Sequence, residues 1–124
     1  MAAALERYVP DLADWPRTWH YEPDDLPVGK RIVAAFKPFL IDLLQQGLAA
    51  KTLRRHRDHL WMLGGEIIHR RYLEPDLMQL TIEETLRQLV HDDGGPLISQ
   101  HLNPSEQQSF DSTCQKLYRF LYPG

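Results

Sequence analysis

Apolar residues recur every three or four positions in four stretches of this chain, a spacing that places them on one face of an α-helix. The stretches begin near residues 28, 50, 82 and 104. No stretch alternates apolar and polar positions in the manner of a β-strand. The pattern therefore predicts an all-α fold, a compact bundle of four to five helices.

The first predicted helix covers residues 28–46 and contains a proline. Pro38 removes a backbone hydrogen bond, so we expect the helix to kink or split near Lys37. Gly47 is a typical residue at a helix C-terminus and should end the helix. The predicted inner face consists of Ile32, Phe36, Phe39, Leu40 and Leu43.

The second predicted helix begins at Ala50 or Lys51 and contains two adjacent glycines. Gly64 and Gly65 each cost about 1 kcal/mol relative to alanine inside a helix. Because the apolar spacing continues in phase after them, we interpret the pair as a close approach by a neighbouring helix rather than a bend. The predicted inner face consists of Leu53, Leu60, Leu63, Ile67 and Ile68, with Trp61 at its edge.

Two capping sequences mark the starts of the remaining helices. Thr81 and Glu84 predict a capping box at the start of a short third helix. Asn103 and Glu106 predict the start of the last helix, with a proline at its first position. Between these helices we expect a short helical turn within residues 96–102.

The single cysteine lies in the apolar stripe of the last helix. Cys114 excludes an internal disulfide, in agreement with a reducing compartment. A reactive thiolate needs a nearby cation or a helix N-terminus, and neither is evident beside Cys114. We therefore predict a buried thiol that packs with Phe110, Leu117 and Leu121.

Residues 1–27 are rich in proline and tryptophan and form a predicted N-terminal arm. The proline density forbids a long helix, and the aromatic residues argue against disorder. We expect the arm to lie on the helical domain, residues 28–124, with Trp15 and Trp19 buried there. The alternative is that the arm's aromatic residues stack on bases or on a partner peptide.

The composition is that of an ordinary globular domain, with 43% hydrophobic and 25% charged residues. No apolar run approaches the roughly 20 residues needed to span a bilayer, and the N-terminus lacks the apolar core of a signal peptide. We therefore expect a cytoplasmic protein without membrane contact. The net charge of −3 argues against a protein that coats nucleic acid with its whole surface.

One basic segment, residues 47–72, stands out within this acidic chain. It carries six basic and two acidic residues, a net charge of +4, and the remainder carries −7. Cations at the start of a helix oppose the helix dipole, so another role is expected for them. Phosphate oxygens could bind these side chains together with the free N–H groups of the first turn. The candidate DNA contacts are Lys51, Thr52, Arg54, Arg55, Arg57, His59, Arg70 and Arg71.

Two other interpretations of the basic segment stay open. It can be a solvated helix face whose arginines pair with Asp58 and other acidic neighbours. It can also bind an acidic protein partner.

The histidines and acidic pairs do not predict a metal site or an enzyme. His56 and His59 lie three residues apart, but a zinc site needs at least three well-placed ligands. We expect the His56 ring to be packed and hydrogen-bonded and the His59 ring to be exposed. No nucleophile with a positioned base can be identified, so we expect neither catalysis nor a cofactor.

The segment Gly47-Leu48-Ala49-Ala50-Lys51-Thr52-Leu53-Arg54-Arg55-His56 resembles the N-terminal core-binding domain of tyrosine recombinases, the phage integrases. That family often shows Gly-Leu-Ser, a short gap, Thr-Ile or Thr-Leu, two variable residues and tyrosine. The segment Leu80-Thr81-Ile82-Glu83-Glu84 resembles a later part of the same domain, and the likeness covers residues 28–121.

This resemblance implies a small SAM-like helical bundle that clamps one side of DNA during recombination. Matched residue by residue, it implies DNA contacts at Lys51, Thr52, Arg54 and Arg55. His56 departs from the usual aromatic residue, and no following catalytic domain is present to supply the tyrosine nucleophile. The resemblance therefore implies a binding module that cannot cut or join strands.

Two functional hypotheses result. The first is a non-catalytic DNA-binding domain that contacts phosphates weakly through the basic helix. The alternative is a protein-interaction or oligomerisation module with the same bundle and no DNA binding.

Overall fold

A computed structural model describes residues 2–98 and 102–123 of the chain. The α-helices are α1 (Ala2–Tyr8), α2 (Trp15–Trp19), α3 (Asp25–Gln45), α4 (Ala50–Leu73), α5 (Ile82–Leu89) and α6 (Pro104–Leu121). Short 3-10 helices cover Leu12–Asp14 and Pro75–Gln79. No strand occurs among the described residues, and the predicted all-α bundle is confirmed.

Helix α3 begins at Asp25, three residues earlier than predicted, because the Asp25 carboxylate stabilises the turn before it. Its Oδ2 atom accepts hydrogen bonds from the backbone N–H groups of Tyr21 and Glu22, at 2.9 and 3.0 Å. Pro38 lies inside the helix, which nevertheless runs unbroken, so the helix is not split there. Gly47 follows the helix with φ of +69°, which fits its predicted role in ending the helix.

Helix α4 is the longest helix and packs against α2, α3 and α6. Leu60, Leu63, Ile67 and Ile68 are buried as predicted, and Leu53 is partly buried. The helix does not break at the two glycines. A β-carbon at Gly64 would overlap the indole ring of Trp19, so the predicted close approach is confirmed and α2 is the helix that approaches.

Both predicted capping boxes are present. The side chain of Thr81 accepts a hydrogen bond from the Glu84 N–H, and the Glu84 carboxylate accepts one from the Thr81 N–H. Asn103 and Glu106 form the same pair of bonds at the start of α6. The expected helical turn is not seen over residues 96–98, and its remainder includes residues 99–101, which lie outside the described part.

The N-terminal arm packs on the helical domain, as predicted. Trp15 and Trp19 are 2% and 5% exposed and belong to the same core as α3 and α4. The Trp19 Nε1–H donates to the backbone oxygen of Trp61 at 3.0 Å. Closer to the N-terminus, the Tyr8 hydroxyl donates to the backbone oxygen of Leu53, which fixes α1 beside the first turns of α4.

Within residues 2–98 and 102–123, none of the helices combines the length and hydropathy needed to cross a bilayer.

Candidate nucleic-acid interface

The first turns of α4 present three cationic side chains to solvent. Lys51, Arg54 and Arg55 are exposed, whereas Leu53 is partly buried and His56 is buried. None of the three forms an ion pair within residues 2–98 and 102–123. Thr52 is half-buried beside them. These charges are therefore available to a ligand, which is what the sequence predicted for them.

Helix α1 adds a cation that the sequence did not suggest. Arg7, Arg54 and Arg57 all line an open depression of about 390 Å³ between α1 and α4. Its lining also includes the apolar side chains of Leu44 and Leu53. Arg7 lies 47 residues before Arg54 in the chain, so only the packing of the arm places the two guanidinium groups around one depression.

Lys116 extends the cationic region onto α6. Its Nζ atom donates to Oε1 of Gln46 at 2.8 Å, which places it beside the end of α3. Lys116 and Arg55 both lie close enough to the buried His56 ring for their charges to lower its pKa. We call the group Arg7, Lys51, Arg54, Arg55 and Lys116 the basic surface.

Arg57 differs from its neighbours because its guanidinium group is engaged within the chain. Its Nε–H donates to Oδ1 of Asp58 at 3.1 Å, and a second nitrogen donates to the backbone oxygen of Tyr8 at 3.1 Å. The side chain is 26% exposed. Arg57 therefore holds α1 against α4, and the structure does not leave it free as a DNA contact.

The prediction that His59 is exposed is wrong. The residue is 8% exposed, and its Nδ1 atom lies 2.7 Å from Oγ1 of Thr113. Its ring also meets the Phe110 ring edge-on, with 5.7 Å between centroids. Helix α6 covers this face of α4, so His59 belongs to the interior and is removed from the candidate contacts.

The prediction for His56 is confirmed, and the residue shares its partner with His59. Nδ1 of His56 also lies 2.7 Å from Oγ1 of Thr113, and the ring is 2% exposed. Burial, followed by the charges of Arg55 and Lys116, lowers the pKa of His56 to about 4. Burial and the charge of Arg55 also lower the pKa of His59. Both rings are therefore neutral near pH 7 and add no charge to the basic surface.

The second basic cluster does not extend the basic surface. Arg70 donates to Oε2 of Glu66 at 2.7 Å and to the backbone oxygen of Leu97 at 3.3 Å. Arg71 donates to the backbone oxygen of Leu77 at 3.4 Å. Helix geometry places Arg70 about 24 Å along α4 from Arg54 and about 160° around it. Arg70 and Arg71 therefore do not form one surface with Lys51 and Arg54, and a DNA contact at either position stays a prediction.

The remaining candidates for chemistry are the single cysteine and the possible metal-ligating side chains. Cys114 is 1% exposed, and burial together with the charge of Asp111 raises the pKa of its thiol well above the ordinary value. This confirms the prediction of a packed thiol. Among the described ranges, no three histidine, cysteine, aspartate or glutamate side chains come together in an arrangement that could hold a metal ion.

Comparison of the chain with protein-family models, with curated proteins and with solved structures gives no match. The resemblance to the core-binding domain of tyrosine recombinases therefore stays a prediction.

Proposed function

We propose that this chain is a non-catalytic DNA-binding domain that contacts phosphate groups through the basic surface. The observation that carries the proposal is the exposure of Lys51, Arg54 and Arg55 on adjacent turns, without an acidic partner in the described parts of the chain. The resemblance of residues 47–56 to the recombinase core-binding domain supports the same choice of ligand.

The charge distribution supports a polyanion as the ligand. The chain contains 17 acidic residues, yet Arg54 and Arg55 stand beside other cations rather than in ion pairs. Like charges on adjacent turns of a helix repel one another and cost a few tenths of a kcal/mol each. A phosphate backbone would relieve this repulsion, and the planar guanidinium group suits bidentate contact with phosphate oxygens.

The proposed binding depends on salt more than on base sequence. Contacts between cations and phosphates release condensed counterions and carry no direct information about the base pairs. The depression beside Arg7 and Arg54 is open to solvent, so it fits a backbone that passes over it rather than an enclosed base. We therefore expect similar affinities for duplexes of unrelated sequence.

A charge-matched pair of double variants tests the proposal. Arg54→Ala/Arg55→Ala removes two charges from the basic surface, and Lys30→Ala/Arg31→Ala removes two exposed charges near the other end of the molecule, early in α3. Binding of a fluorescent 20-base-pair duplex is followed by anisotropy as salt is raised from 50 to 200 mM.

The first variant should bind about 10-fold more weakly, a loss of about 1.4 kcal/mol. The slope of log K against log salt should fall by about 0.9 per lost contact. The second variant should behave as the unmodified chain does. Equal losses in the two variants, or no loss in the first, would exclude the basic surface as the DNA contact.

A further inference from the structure

A second surface feature of α4 lies beyond the basic surface. Trp19, Trp61, Met62, Ile98 and Leu102 provide most of the apolar lining of an open groove of about 680 Å³. The groove runs between the end of α2, the middle of α4 and the first turn of α6. We call it the Trp61 groove. Its volume is in the range of sites that hold a large side chain or a drug-sized molecule.

The exposed ring that borders this groove is held in a fixed orientation. Trp61 is 42% exposed, although its Nε1–H donates to Oγ1 of Thr18 at 2.9 Å and its backbone oxygen accepts the hydrogen bond from Trp19. Trp61 also lines a second depression of about 520 Å³, together with Pro10 and Asp11. A fixed aromatic ridge between two depressions loses little conformational entropy when a ligand binds.

The ionised groups around Trp61 are mainly carboxylates. Glu66 and Glu106 line the groove, and Asp11 and Asp58 line the second depression. Glu66 and Asp58 each pair with one arginine of their own helix. Glu106 and Asp11 form no ion pair within residues 2–98 and 102–123. The surroundings of Trp61 therefore carry net negative charge from carboxylates, in contrast to the first turns of α4.

This charge decides between two kinds of occupant. Phosphate groups would meet Glu106 and Asp11 and be repelled, so Trp61 does not continue the DNA-contacting surface. A lysine or arginine side chain would be attracted by the same carboxylates and would gain a cation–π contact with the exposed indole. The apolar lining would at the same time accept an aliphatic side chain on the same segment.

We propose that the Trp61 groove docks a basic amphipathic segment of a partner protein. An aliphatic side chain of that segment enters the groove beside Met62, and a flanking lysine or arginine lies near Glu106 and the Trp61 ring. Trp61 lies seven residues after Arg54, about 10 Å along α4 and on nearly the same side of the helix, and Arg57 lines both the depression beside Arg54 and the depression beside Trp61. The two surfaces are therefore neighbours that differ in the sign of their charge, and neither proposal depends on the other.

The probe for this proposal is a synthetic 18-residue helical peptide with leucine at helical spacing and lysine elsewhere. A matched peptide carries glutamate in place of every lysine. Binding is measured by calorimetry at 50 mM salt, and the three indole N–H signals of the protein are followed by NMR. We expect a Kd of about 10–100 μM for the lysine peptide, a shift of the Trp61 signal, and no binding of the glutamate peptide.

Three variants separate groove binding from general attraction to an acidic protein. Trp61→Ala should weaken binding at least about 10-fold. Glu106→Gln keeps the capping box at the start of α6, because glutamine serves in the same position, and should weaken binding several-fold. Glu83→Gln removes an equal charge from the exposed first turn of α5 and should leave binding unchanged.

Any of four results would overturn the proposal. These are equal binding of the two peptides, equal effects of Glu106→Gln and Glu83→Gln, weaker binding of duplex DNA by Trp61→Ala, and a concentration-dependent shift of the Trp61 signal without peptide. The third result would make the groove part of the DNA surface. The fourth would make a second copy of this chain its occupant.

Discussion

The indole ring of Trp19 occupies the space that a β-carbon at Gly64 would need. The ring is 5% exposed, and its Nε1–H reaches the backbone oxygen of Trp61, one helical turn before the glycine. Glycine at position 64 thus allows α2 to approach the backbone of α4 directly. The contact attaches the arm to the helix that carries both proposed binding surfaces.

Gly64→Ala should therefore destabilise the fold, although alanine favours a helix. The gain in helix propensity is about 1 kcal/mol, and overpacking typically costs about 1–3 kcal/mol or more. Because the overlap is with a buried ring, the upper end of that cost applies, and we expect a net loss of about 2 kcal/mol in the free energy of unfolding, measured with urea. The matched variant is Gly65→Ala, whose β-carbon would lie 3.3 Å from a Trp19 ring atom and should be nearly neutral.

A double-mutant cycle identifies the cause of the loss. In a Trp19→Ala background the space beside position 64 is open, so Gly64→Ala should cost less there. Equal costs in the two backgrounds would contradict the proposed overlap.

The parts of the fold that were predictable from the sequence depend on local interactions. Helix periodicity and the two capping boxes involve residues within one or two turns of each other, so the sequence alone predicts where they occur. The glycine pair predicted a close approach, but its partner, Trp19, lies 45 residues away in the chain. No spacing rule connects those two positions.

The candidate site was predictable only where it depended on a single helix. The exposure of Lys51, Arg54 and Arg55 follows from the inner face of α4. Arg7 was missed and His59 was misplaced, because each depends on how another helix packs against α4. The pairing of Glu66 with Arg70 was available from the sequence, since glutamate four residues before arginine is a favourable helical pair.

The Tyr72 hydroxyl should control the ionisation of Asp25. Burial alone would raise the pKa of Asp25, but the hydrogen bond from Tyr72, at 2.6 Å, and two backbone N–H groups outweigh it and lower that pKa. In Tyr72→Phe the pKa of Asp25 should rise, and the free energy of unfolding at pH 7 should fall by about 1 kcal/mol. The pKa is measured by NMR titration of the Asp25 carboxyl carbon.

The sign of the associated pH dependence is fixed by the lowered pKa. Ionised Asp25 contributes stability that is complete above the unfolded pKa, about 3.9, and is lost as pH falls through the lower folded pKa. Tyr21→Phe is the control, because its hydroxyl contacts His69 rather than Asp25. An unchanged Asp25 pKa in Tyr72→Phe would show that the hydroxyl contributes nothing to it.

The shared hydrogen bonds of Thr113 predict a loss of stability in mild acid. Its hydroxyl has one proton and can donate to only one of the two Nδ1 atoms, so at least one histidine ring donates its Nδ1–H to it. The pKa of His56 is about 4 in the folded chain and about 6.5 in the unfolded chain, so the unfolded chain binds the proton first as pH falls. The stability contributed by neutral His56 is therefore fully present above about pH 6.5 and is lost as pH falls toward 4.

Urea unfolding at pH 7 and pH 5 measures this decline. The free energy of unfolding should change by up to about 1.4 kcal/mol per pH unit for each histidine that titrates only in the unfolded state. His56→Gln cannot titrate and should show a smaller change between the two pH values, whatever its stability at pH 7. An undiminished change in that variant would indicate that His56 is already accessible to protons in the folded chain.

Arg70→Ala should affect the two proposed surfaces differently from Arg54→Ala, because Arg70 neutralises a carboxylate of the Trp61 groove. Its side chain is 25% exposed and that of Glu66 is 15% exposed, so loss of this partly buried pair should cost about 1 kcal/mol of stability. DNA affinity should stay the same, since Arg70 lies far from the basic surface. Affinity for the lysine peptide should rise, because Glu66 then carries an uncompensated charge in the groove. Arg54→Ala should differ, because it should weaken DNA binding and should not weaken peptide binding. Anisotropy and calorimetry on the same two variants distinguish these patterns, and a loss of DNA affinity in Arg70→Ala would mean that phosphates reach the far end of α4.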